Sequence, residues 1–336
     1  MKKEIKVALI GYGGMARVHN VSYRRMQAEG FPVSLVAVCE RDVERVRQKI
    51  VINLGVEDEP LDERVNVYAD IDELLEKEDF DMADICLPTF LHKDYAIKLL
   101  RAGKHVLCEK PLALSSADAA EMIAVAKEEG RILMAAHCLR VEAAYICLRE
   151  IVEKNTLGPL RYITMSRLSG YPRWGAHFND IPRTGGNFLD MHIHDVDFLQ
   201  HLYGMPRSVN CTVWENPPHA QLASSQLHYD GFSAMIEAIW DEAYQGFSDG
   251  YRATFEGGTA VYEEGRVTVY PNGTKSYHPH MQDDDYIGRE VRAMAAAIWD
   301  TPDKSDILSP ESVYHSLVLM EHLRKSADAG SKEIVL

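Results

Sequence analysis

The sequence lacks the features that are typical of nucleic-acid-binding, membrane and secreted proteins. It has no excess of basic residues: 36 Lys and Arg stand against 51 Asp and Glu, a formal net charge of −15. This balance argues against nucleic acid and anionic membranes as partners, since both require a basic surface. No apolar run approaches the length of a secretory signal or a membrane span, so we expect a cytoplasmic protein with a small-molecule partner.

Cysteine is scarce, with six residues in 336, and no spacing suggests a metal site or a disulfide framework. Cys39, Cys86 and Cys108 each fall at the end of a predicted strand, which favours buried, reduced core residues. Cys138 and Cys147 are nine residues apart with no second pair, so zinc binding is not indicated. Internal repeats and low-complexity segments are also missing.

The length of the chain predicts about two domains. In residues 1–136, short apolar runs alternate with amphipathic helical patterns. This order predicts an α/β domain with a doubly wound parallel sheet, a Rossmann domain. The predicted strands are 6–10, 34–39, 65–68, 82–87, 105–108 and 132–135; the predicted helices are 14–29, 42–53, 71–77, 92–102 and 116–129.

The pattern changes in residues 137–336. A helix at 141–154, a loop at 170–186 and a helix at 192–202 are interleaved with strand patterns that follow one another closely. Such an order predicts an α+β domain with a large, mostly antiparallel sheet. The predicted strands are 160–168, 207–214, 220–229, 233–240, 251–256, 259–263 and 266–270, and two helices, 284–299 and 310–328, close the chain.

The first strand leads into a glycine-rich turn. Gly11, Gly13 and Ala16 have the G-x-G-x-x-G/A spacing of a dinucleotide-binding turn. The first glycine makes the turn, the second lets the backbone approach a pyrophosphate, and the third position is small for helix packing. The helix that follows presents its amide groups and dipole to the phosphates. The predicted cofactor-binding residues of the turn are Gly11, Tyr12, Gly13, Gly14, Met15 and Ala16, and the helical stripe behind them is Met15, Val18, His19, Ser22 and Met26.

Two further loops are predicted to contact the cofactor. Glu40 ends the second strand, where a carboxylate can accept hydrogen bonds from the adenosine ribose, which favours NAD. Arg41 beside it could instead accept the 2′-phosphate of NADP, so NADP stays open. Leu87, Pro88, Thr89 and His92 follow the fourth strand, at the carboxyl edge of the sheet where ligands of such domains bind. For His92 alone, a structural role is the preferred interpretation.

Glu109-Lys110-Pro111 ends the fifth strand at the same edge of the sheet. The ammonium group of Lys110 could hydrogen-bond a reacting hydroxyl and stabilise a developing alkoxide. In the second domain, Asp190 and His194 are four residues apart, so on a helical turn they share a face. Histidine suits proton transfer because its usual pKa lies near neutrality. The rival interpretation is a metal site formed by His192, His194 and nearby aspartates.

Three motifs, in this order, resemble the Gfo/Idh/MocA oxidoreductase family, which includes inositol dehydrogenases and glucose–fructose oxidoreductase. They are the glycine turn at residues 11–16, Glu109-Lys110-Pro111, and the segment from Asp190 to Asp195. The resemblance covers nearly the whole chain, including the Leu87-Pro88-Thr89 loop. It implies a Rossmann domain followed by an α/β domain with an open sheet that often mediates oligomerisation, so we expect a homo-oligomer, a dimer or tetramer. The family pattern often has glycine where this chain has His192, and often has a cis bond before the proline that is here Pro111.

The resemblance also implies roles for individual residues. Lys110 orients the substrate and assists proton transfer, and Asp190 and His194 complete the site, with His194 as acid/base. The expected reaction is hydride transfer between a secondary alcohol of a sugar, inositol or related polyol and NAD; Glu109 and Lys110 are also expected near the cofactor. Arg167, Arg173, Trp174 and His177 are possible substrate contacts. An NAD-dependent glycosidase and a non-catalytic dinucleotide-binding regulator are the alternatives.

Overall fold

A computed structural model describes residues 2–49, 59–172, 176–282, 285–301 and 306–336. Within this part of the chain, no helix combines the length and apolar character that crossing a bilayer requires. The strands are β1 (Ile5–Ile10), β2 (Val33–Cys39), β3 (Asn66–Tyr68), β4 (Met82–Ile85), β5 (His105–Glu109), β6 (Leu133–Ala136), β7 (Leu160–Gly170), β8 (Ser208–Asn216), β9 (Ala220–His228), β10 (Ser233–Asp241), β11 (Phe247–Phe255), β12 (Gly258–Glu263), β13 (Arg266–Pro271) and β14 (Ile334–Val335).

The helices follow the same chain order. They are α1 (Gly14–Ala28), α2 (Val43–Val46), α3 (Ile71–Lys77), α4 (His92–Arg101), α5 (Ser116–Glu128), α6 (Ala143–Glu153), α7 (Ile181–Thr184), α8 (Gly186–Asp190), α9 (Ile193–Tyr203), α10 (Tyr286–Ile298) and α11 (Pro310–Asp328). Three short 3-10 helices cover Thr89–Leu91, Cys138–Arg140 and Ala176–Asn179. The chain divides into two compact units: Met1–His137 with Asp285–Glu311, and Cys138–Asp284 with Ser312–Leu336.

The first unit contains a six-stranded parallel sheet in the order β3-β2-β1-β4-β5-β6. The strand order reverses between β1 and β4, which is the switch point at which dinucleotides bind in such sheets. Buried Val, Ile, Leu and Ala side chains fill β1 and β4 because helices cover a parallel sheet on both faces. The predicted Rossmann domain is therefore confirmed.

Helix α10 packs in the first unit, although the sequence prediction placed residues 285–311 in the second domain. Ile287, Val291 and Met294 of α10 are buried in the same core cluster as Tyr23 and Met26 of α1. The helical pattern of 284–299 was predicted correctly, but a periodic pattern does not reveal which core will bury its apolar face.

The second unit contains an eight-stranded sheet in the order β13-β12-β11-β7-β10-β9-β8-β14. Only the β10–β7 pair is parallel, so the predicted mostly antiparallel sheet is confirmed. Along β7, buried Ile163, Met165 and Arg167 alternate with more exposed residues, as expected for a sheet with one covered face. Strand β14, two residues long, was not predicted, and α7 and α8 lie in or beside the predicted loop.

Candidate active site

The glycine turn has the geometry that a dinucleotide requires. Gly11 has φ +88°, and a Cβ there would lie 2.9 Å from the Cys86 carbonyl oxygen, so the tight turn needs glycine. At Gly13, which precedes the first residue of α1, an added Cβ would meet no atom of the described chain within 4 Å. Ala16 is fully buried against the sheet. The open space at Gly13 and the start of α1, whose N-cap makes no side-chain hydrogen bond, therefore fit a bound pyrophosphate.

Glu40 is tied to the glycine turn. Its Oε2 accepts a hydrogen bond from the backbone N–H of Tyr12 at 2.9 Å, and its Oε1 accepts one from the N–H of Asp42 at 3.1 Å. Arg41 is exposed. The structure thus holds the Glu40 carboxylate beside the turn, where the sequence predicts the ribose contact. Among the described residues, no hydrogen bond or ion pair fixes the guanidinium of Arg41 in the same way.

His92 joins two loops at the carboxyl edge of the parallel sheet. Its ring is buried, with Nε2 2.7 Å from the Leu87 carbonyl oxygen and Nδ1 2.9 Å from the Pro111 carbonyl oxygen. Burial lowers the pKa of His92, although both carbonyl groups favour its protonated form. These contacts agree with the structural role preferred for His92, while Leu87, Pro88 and Thr89 are half-buried beside it.

Glu109 and Lys110 differ in their surroundings. Glu109 is buried at the end of β5, where its Oε1 lies 3.1 Å from Nε2 of His19 and its Oε2 accepts a hydrogen bond from the Lys110 N–H at 3.0 Å. Lys110 is half-buried, and the Lys110–Pro111 peptide bond is cis, as the family resemblance implied. The Glu109 carboxylate therefore contacts protein groups, and a cofactor contact for it stays a prediction.

The Asp190–His194 segment is not one continuous helix. Asp190 is the last residue of α8, and His194 is the second residue of α9. Between them, the N–H of His192 donates to the Asn187 carbonyl and the N–H of His194 donates to the Met191 carbonyl. Both Asp190 and His194 are half-buried. Asp190 and His194 therefore belong to two consecutive helices, and their shared role in the site stays a prediction.

His192 is a buried structural residue. Its Nε2 lies 2.8 Å from the Ser225 hydroxyl of β9, and its ring stacks on Phe188. Burial lowers the pKa of His192 to about 3, so the imidazole is neutral at physiological pH. The residue that departs from the family pattern thus fills the interior of the second unit.

The possible substrate contacts have different surroundings. Trp174 and Arg173 lie outside the described residues. The buried guanidinium of Arg167 donates to Asp195 at 2.8 Å and to the Tyr145 hydroxyl at 2.7 Å, so a substrate contact for Arg167 stays a prediction. Burial lowers the pKa of His177, while the charge of Asp190 acts in the opposite direction, and a substrate contact for His177 stays a prediction.

Two residues that contact predicted site residues had no role assigned from the sequence. The Sγ of Cys138 lies 3.6 Å from Nδ1 of His194, and His19 contacts Glu109. Of the two, only His19 could have been singled out from the sequence, because it is a polar residue in the stripe of α1 that is expected to face the protein interior. Among the described residues, the one cluster with metal-ligating geometry is His19, Asp84 and Cys86. The rival metal site at His192 and His194 is not part of it.

Comparisons with known proteins agree with this geometry. Residues 5–137 match the profile "Oxidoreductase family, NAD-binding Rossmann fold", and residues 145–270 match the GFO/IDH/MocA C-terminal domain. D-glucoside 3-dehydrogenase of Escherichia coli is 30% identical over 61% of the chain and 56% of its own length. Myo-inositol 2-dehydrogenase of Thermotoga maritima is 30% identical over 60% of the chain and 55% of its own length.

The chain therefore spans about half the length of the curated relatives it matches. Its fold is similar to the crystal structure of the aldose-aldose oxidoreductase from Caulobacter crescentus complexed with glycerol, with a TM-score of 0.82, 20% identity and coverage of 99% of this chain and 100% of that one. The two family profiles match consecutive parts of the chain and include the glycine turn and the Asp190–His194 segment. The chain belongs to the GFO/IDH/MocA family of oxidoreductases.

Proposed function

We propose that the protein is an NAD-dependent dehydrogenase that oxidises a secondary alcohol of a sugar, an inositol or a related polyol. The observation that carries the proposal is the open space at Gly13, just before α1 and at the switch point of the parallel sheet. Lys110 lies at the carboxyl edge of the same sheet. The relatives named for oxidation of a glucoside and of myo-inositol support the substrate class. Family analogy does not identify one sugar, because substrate choice depends on the site.

A bound NAD supplies a nicotinamide ring that can take up a hydride. His194 accepts the proton of the substrate hydroxyl, and Asp190 positions the substrate and the imidazole. Lys110 stabilises the negative charge that develops on the oxygen as it becomes a carbonyl. Burial lowers the pKa of His177, which favours a neutral imidazole that can donate or accept a hydrogen bond to the substrate.

The cofactor preference for NAD rests on Glu40. Its carboxylate is held by the backbone N–H groups of Tyr12 and Asp42, so it cannot easily turn away from the glycine turn. A fixed negative charge at this position repels the 2′-phosphate of NADP and can accept hydrogen bonds from the ribose hydroxyls of NAD. For NADP to bind, the guanidinium of the exposed Arg41 would have to move next to the 2′-phosphate and offset this repulsion.

The outward face of the second sheet supports homo-oligomerisation. Trp214 lies opposite Leu222, Leu222 opposite Ile239, and Ile239 opposite Leu168, so four apolar side chains form a row across β8, β9, β10 and β7. Trp214 is 53% exposed. We propose that this row, called here the outer apolar row, is buried in a dimer or tetramer, because a contiguous apolar surface of this kind is typical of interfaces.

The test is nicotinamide absorbance with purified protein, NAD⁺ or NADP⁺, and a panel that contains myo-inositol and methyl glucosides. We expect reduction of NAD⁺ by at least one of these compounds. Lys110→Ala should lower kcat by about 100-fold or more, since it removes the charge that stabilises the alkoxide. Lys104→Ala, at the other end of β5, is the matched control and should leave turnover unchanged.

Two outcomes would contradict the proposal. Normal turnover by Lys110→Ala with NAD bound would remove Lys110 from the reaction. Release of free sugar from a glycoside without net NADH formation would instead favour the glycosidase.

A further inference from the structure

His19 lies in the interior of the first unit, with each ring nitrogen at a carboxylate. Nδ1 is 2.7 Å from Oδ2 of Asp84, and Nε2 is 3.1 Å from Oε1 of Glu109. His19 and Asp84 are both fully buried. The Tyr23 hydroxyl donates a second hydrogen bond to the same oxygen of Asp84 at 2.8 Å. A side chain of the cofactor-binding helix α1 is thereby joined to the ends of β4 and β5.

The second oxygen of Glu109 continues this chain of contacts. It accepts a hydrogen bond from the backbone N–H of Lys110 at 3.0 Å. A carboxylate held by an imidazole on one oxygen and by a backbone amide on the other has little rotational freedom. The backbone at Lys110 is consequently tied, through Glu109 and His19, to the helix that begins at the glycine turn.

We propose that His19 is a positioning residue for Lys110, and that it acts by fixing the Glu109 carboxylate, which in turn holds the Lys110 backbone. This inference rests on the proposed dehydrogenase function of Lys110. It assigns Glu109 a part in orienting the lysine instead of a direct contact with NAD. Side chains that orient a reactive group commonly alter activity 10- to 100-fold when they are removed, and small displacements of reacting groups are similarly costly.

The charges around His19 favour an imidazolium between two carboxylates. Burial alone would lower the pKa of His19, but Asp84 outweighs it and the pKa lies well above the usual value. Burial would raise the pKa of Glu109, but the hydrogen bond and charge of His19 lower it below the usual value. A protonated ring can donate to both carboxylates at once, which a neutral ring cannot do.

Among the described residues, the pKa shifts of Cys86, Tyr23 and Glu290 near His19 all favour the neutral form of the group. Burial raises the pKa of the Cys86 thiol to about 12, and burial together with Asp84 raises the pKa of Tyr23 well above its usual value. Burial, followed by the charge of Glu109, raises the pKa of Glu290 on α10 well above its usual value. Glu109 and Asp84 are the two carboxylates that contact the ring nitrogens of His19.

The same residues raise the possibility of a metal ion. Ligand atoms of His19, Asp84 and Cys86 lie within 4.8 Å of one another. However, Nδ1 of His19 is already hydrogen-bonded to Asp84, and Nε2 faces Glu109. A metal ligand would need one of these nitrogens without its proton, so hydrogen bonding accounts for the site more simply. Metal content is nevertheless one outcome of the test.

The experiment compares His19→Gln, Glu109→Gln and the double variant with wild-type enzyme, using NAD⁺ and the polyol that the wild type oxidises. His105→Gln is the matched control, because His105 lies at the opposite end of β5 and accepts a hydrogen bond from the Ile132 N–H. We expect each single variant to lower kcat by about tenfold or more, with less than about a threefold change in the Kd of NADH measured by fluorescence. The kcat of the double variant should be no lower than that of the less active single variant, because His19 and Glu109 act on Lys110 through the same hydrogen bonds.

The possible results are distinguishable. Unchanged kcat in His19→Gln, when Lys110→Ala has lost turnover, overturns the inference and leaves the proposed function intact. Retained turnover in Lys110→Ala removes Lys110 from the reaction and overturns the inference at its premise, whereas failure of the wild-type protein to reduce NAD⁺ with any compound of the panel counts against the proposed function itself. A parallel loss of kcat, NADH affinity and thermal stability, or additive losses in the double variant, assigns His19 a general structural role. A stoichiometric metal that His19→Gln loses, measured by plasma mass spectrometry, also overturns positioning by hydrogen bonds. Glu109→Gln tests the same path if His19→Gln does not fold.

Discussion

The sulfur of Cys138 lies 3.6 Å from Nδ1 of His194, the proposed proton acceptor. Cys138 is half-buried in the 3-10 helix that begins the second unit, 56 residues before His194. Contact at one ring nitrogen of a histidine selects the tautomer and so decides which nitrogen is basic. Cys138 is therefore placed to influence how His194 takes up a proton.

Replacing Cys138 should change catalysis while largely preserving the fold. We expect Cys138→Ala to lower kcat/KM by about fivefold, the equivalent of one hydrogen bond of about 1 kcal/mol. Cys138→Ser retains a polar partner and should stay close to wild type. Cys147→Ala in α6 is the control, since this buried thiol should affect stability alone. Equal activity of Cys138→Ala and wild type would show that the contact has no part in turnover.

Substitutions of Gly11 and Gly13 in the turn should have different effects. Gly11→Ala places a Cβ in contact with the Cys86 carbonyl at a positive φ, so we expect a loss of about 2–4 kcal/mol in the free energy of unfolding. Gly13→Ala meets no described atom and should cost the apo protein less than about 1 kcal/mol. It should nevertheless raise the Kd of NADH about tenfold or more, because its methyl group occupies the cofactor's space.

Denaturant unfolding and NADH fluorescence together test this pair. If Gly13→Ala binds NADH with wild-type affinity, the cofactor does not approach the backbone at this glycine, and the assignment of the turn is wrong.

Acid should destabilise the second unit through His192. The folded pKa of about 3 lies below the usual 6.5, so between these values the unfolded chain binds the extra proton. This contribution to stability is complete above pH 6.5 and is lost as the pH falls towards 3. From pH 7 to pH 5, the loss from His192 alone should be about 2 kcal/mol.

The measurement is denaturant unfolding of wild type and His192→Gln at both pH values. Glutamine can still hydrogen-bond Ser225 but does not titrate. The free energy of unfolding of His192→Gln should therefore fall less than that of the wild type between pH 7 and pH 5. The same slope in His192→Gln and wild type would contradict this prediction.

Disruption of the outer apolar row should alter the oligomeric state. We expect Trp214→Glu to lower the molar mass measured by light scattering to that of a monomer, because a charge would be buried in the interface. Val43→Glu, at an exposed apolar position of the first unit, is the control and should keep the wild-type mass. A wild-type protein that is already a monomer would rule out the interface.

Much of the fold could be predicted from local patterns. The alternation of short apolar strands and amphipathic helices predicted six parallel strands, and the closely spaced strands of the second half predicted an antiparallel sheet. These features are encoded by neighbouring residues, since side-chain periodicity and glycine at a tight turn follow from the backbone of one segment. Lys110, Asp190 and His194 were likewise identified from short motifs, and their catalytic roles stay predictions.

Local sequence patterns were enough to predict the order of the main strands and helices, the glycine turn and the three motifs that identify the family. Long-range packing settles which core buries α10, that Asp190 and His194 belong to two consecutive helices, and that His192 is interior. It also brought His19 to Glu109 across 90 residues of sequence. Such contacts depend on how distant segments pack, and a periodic pattern records only that a face is buried, not which residues it meets.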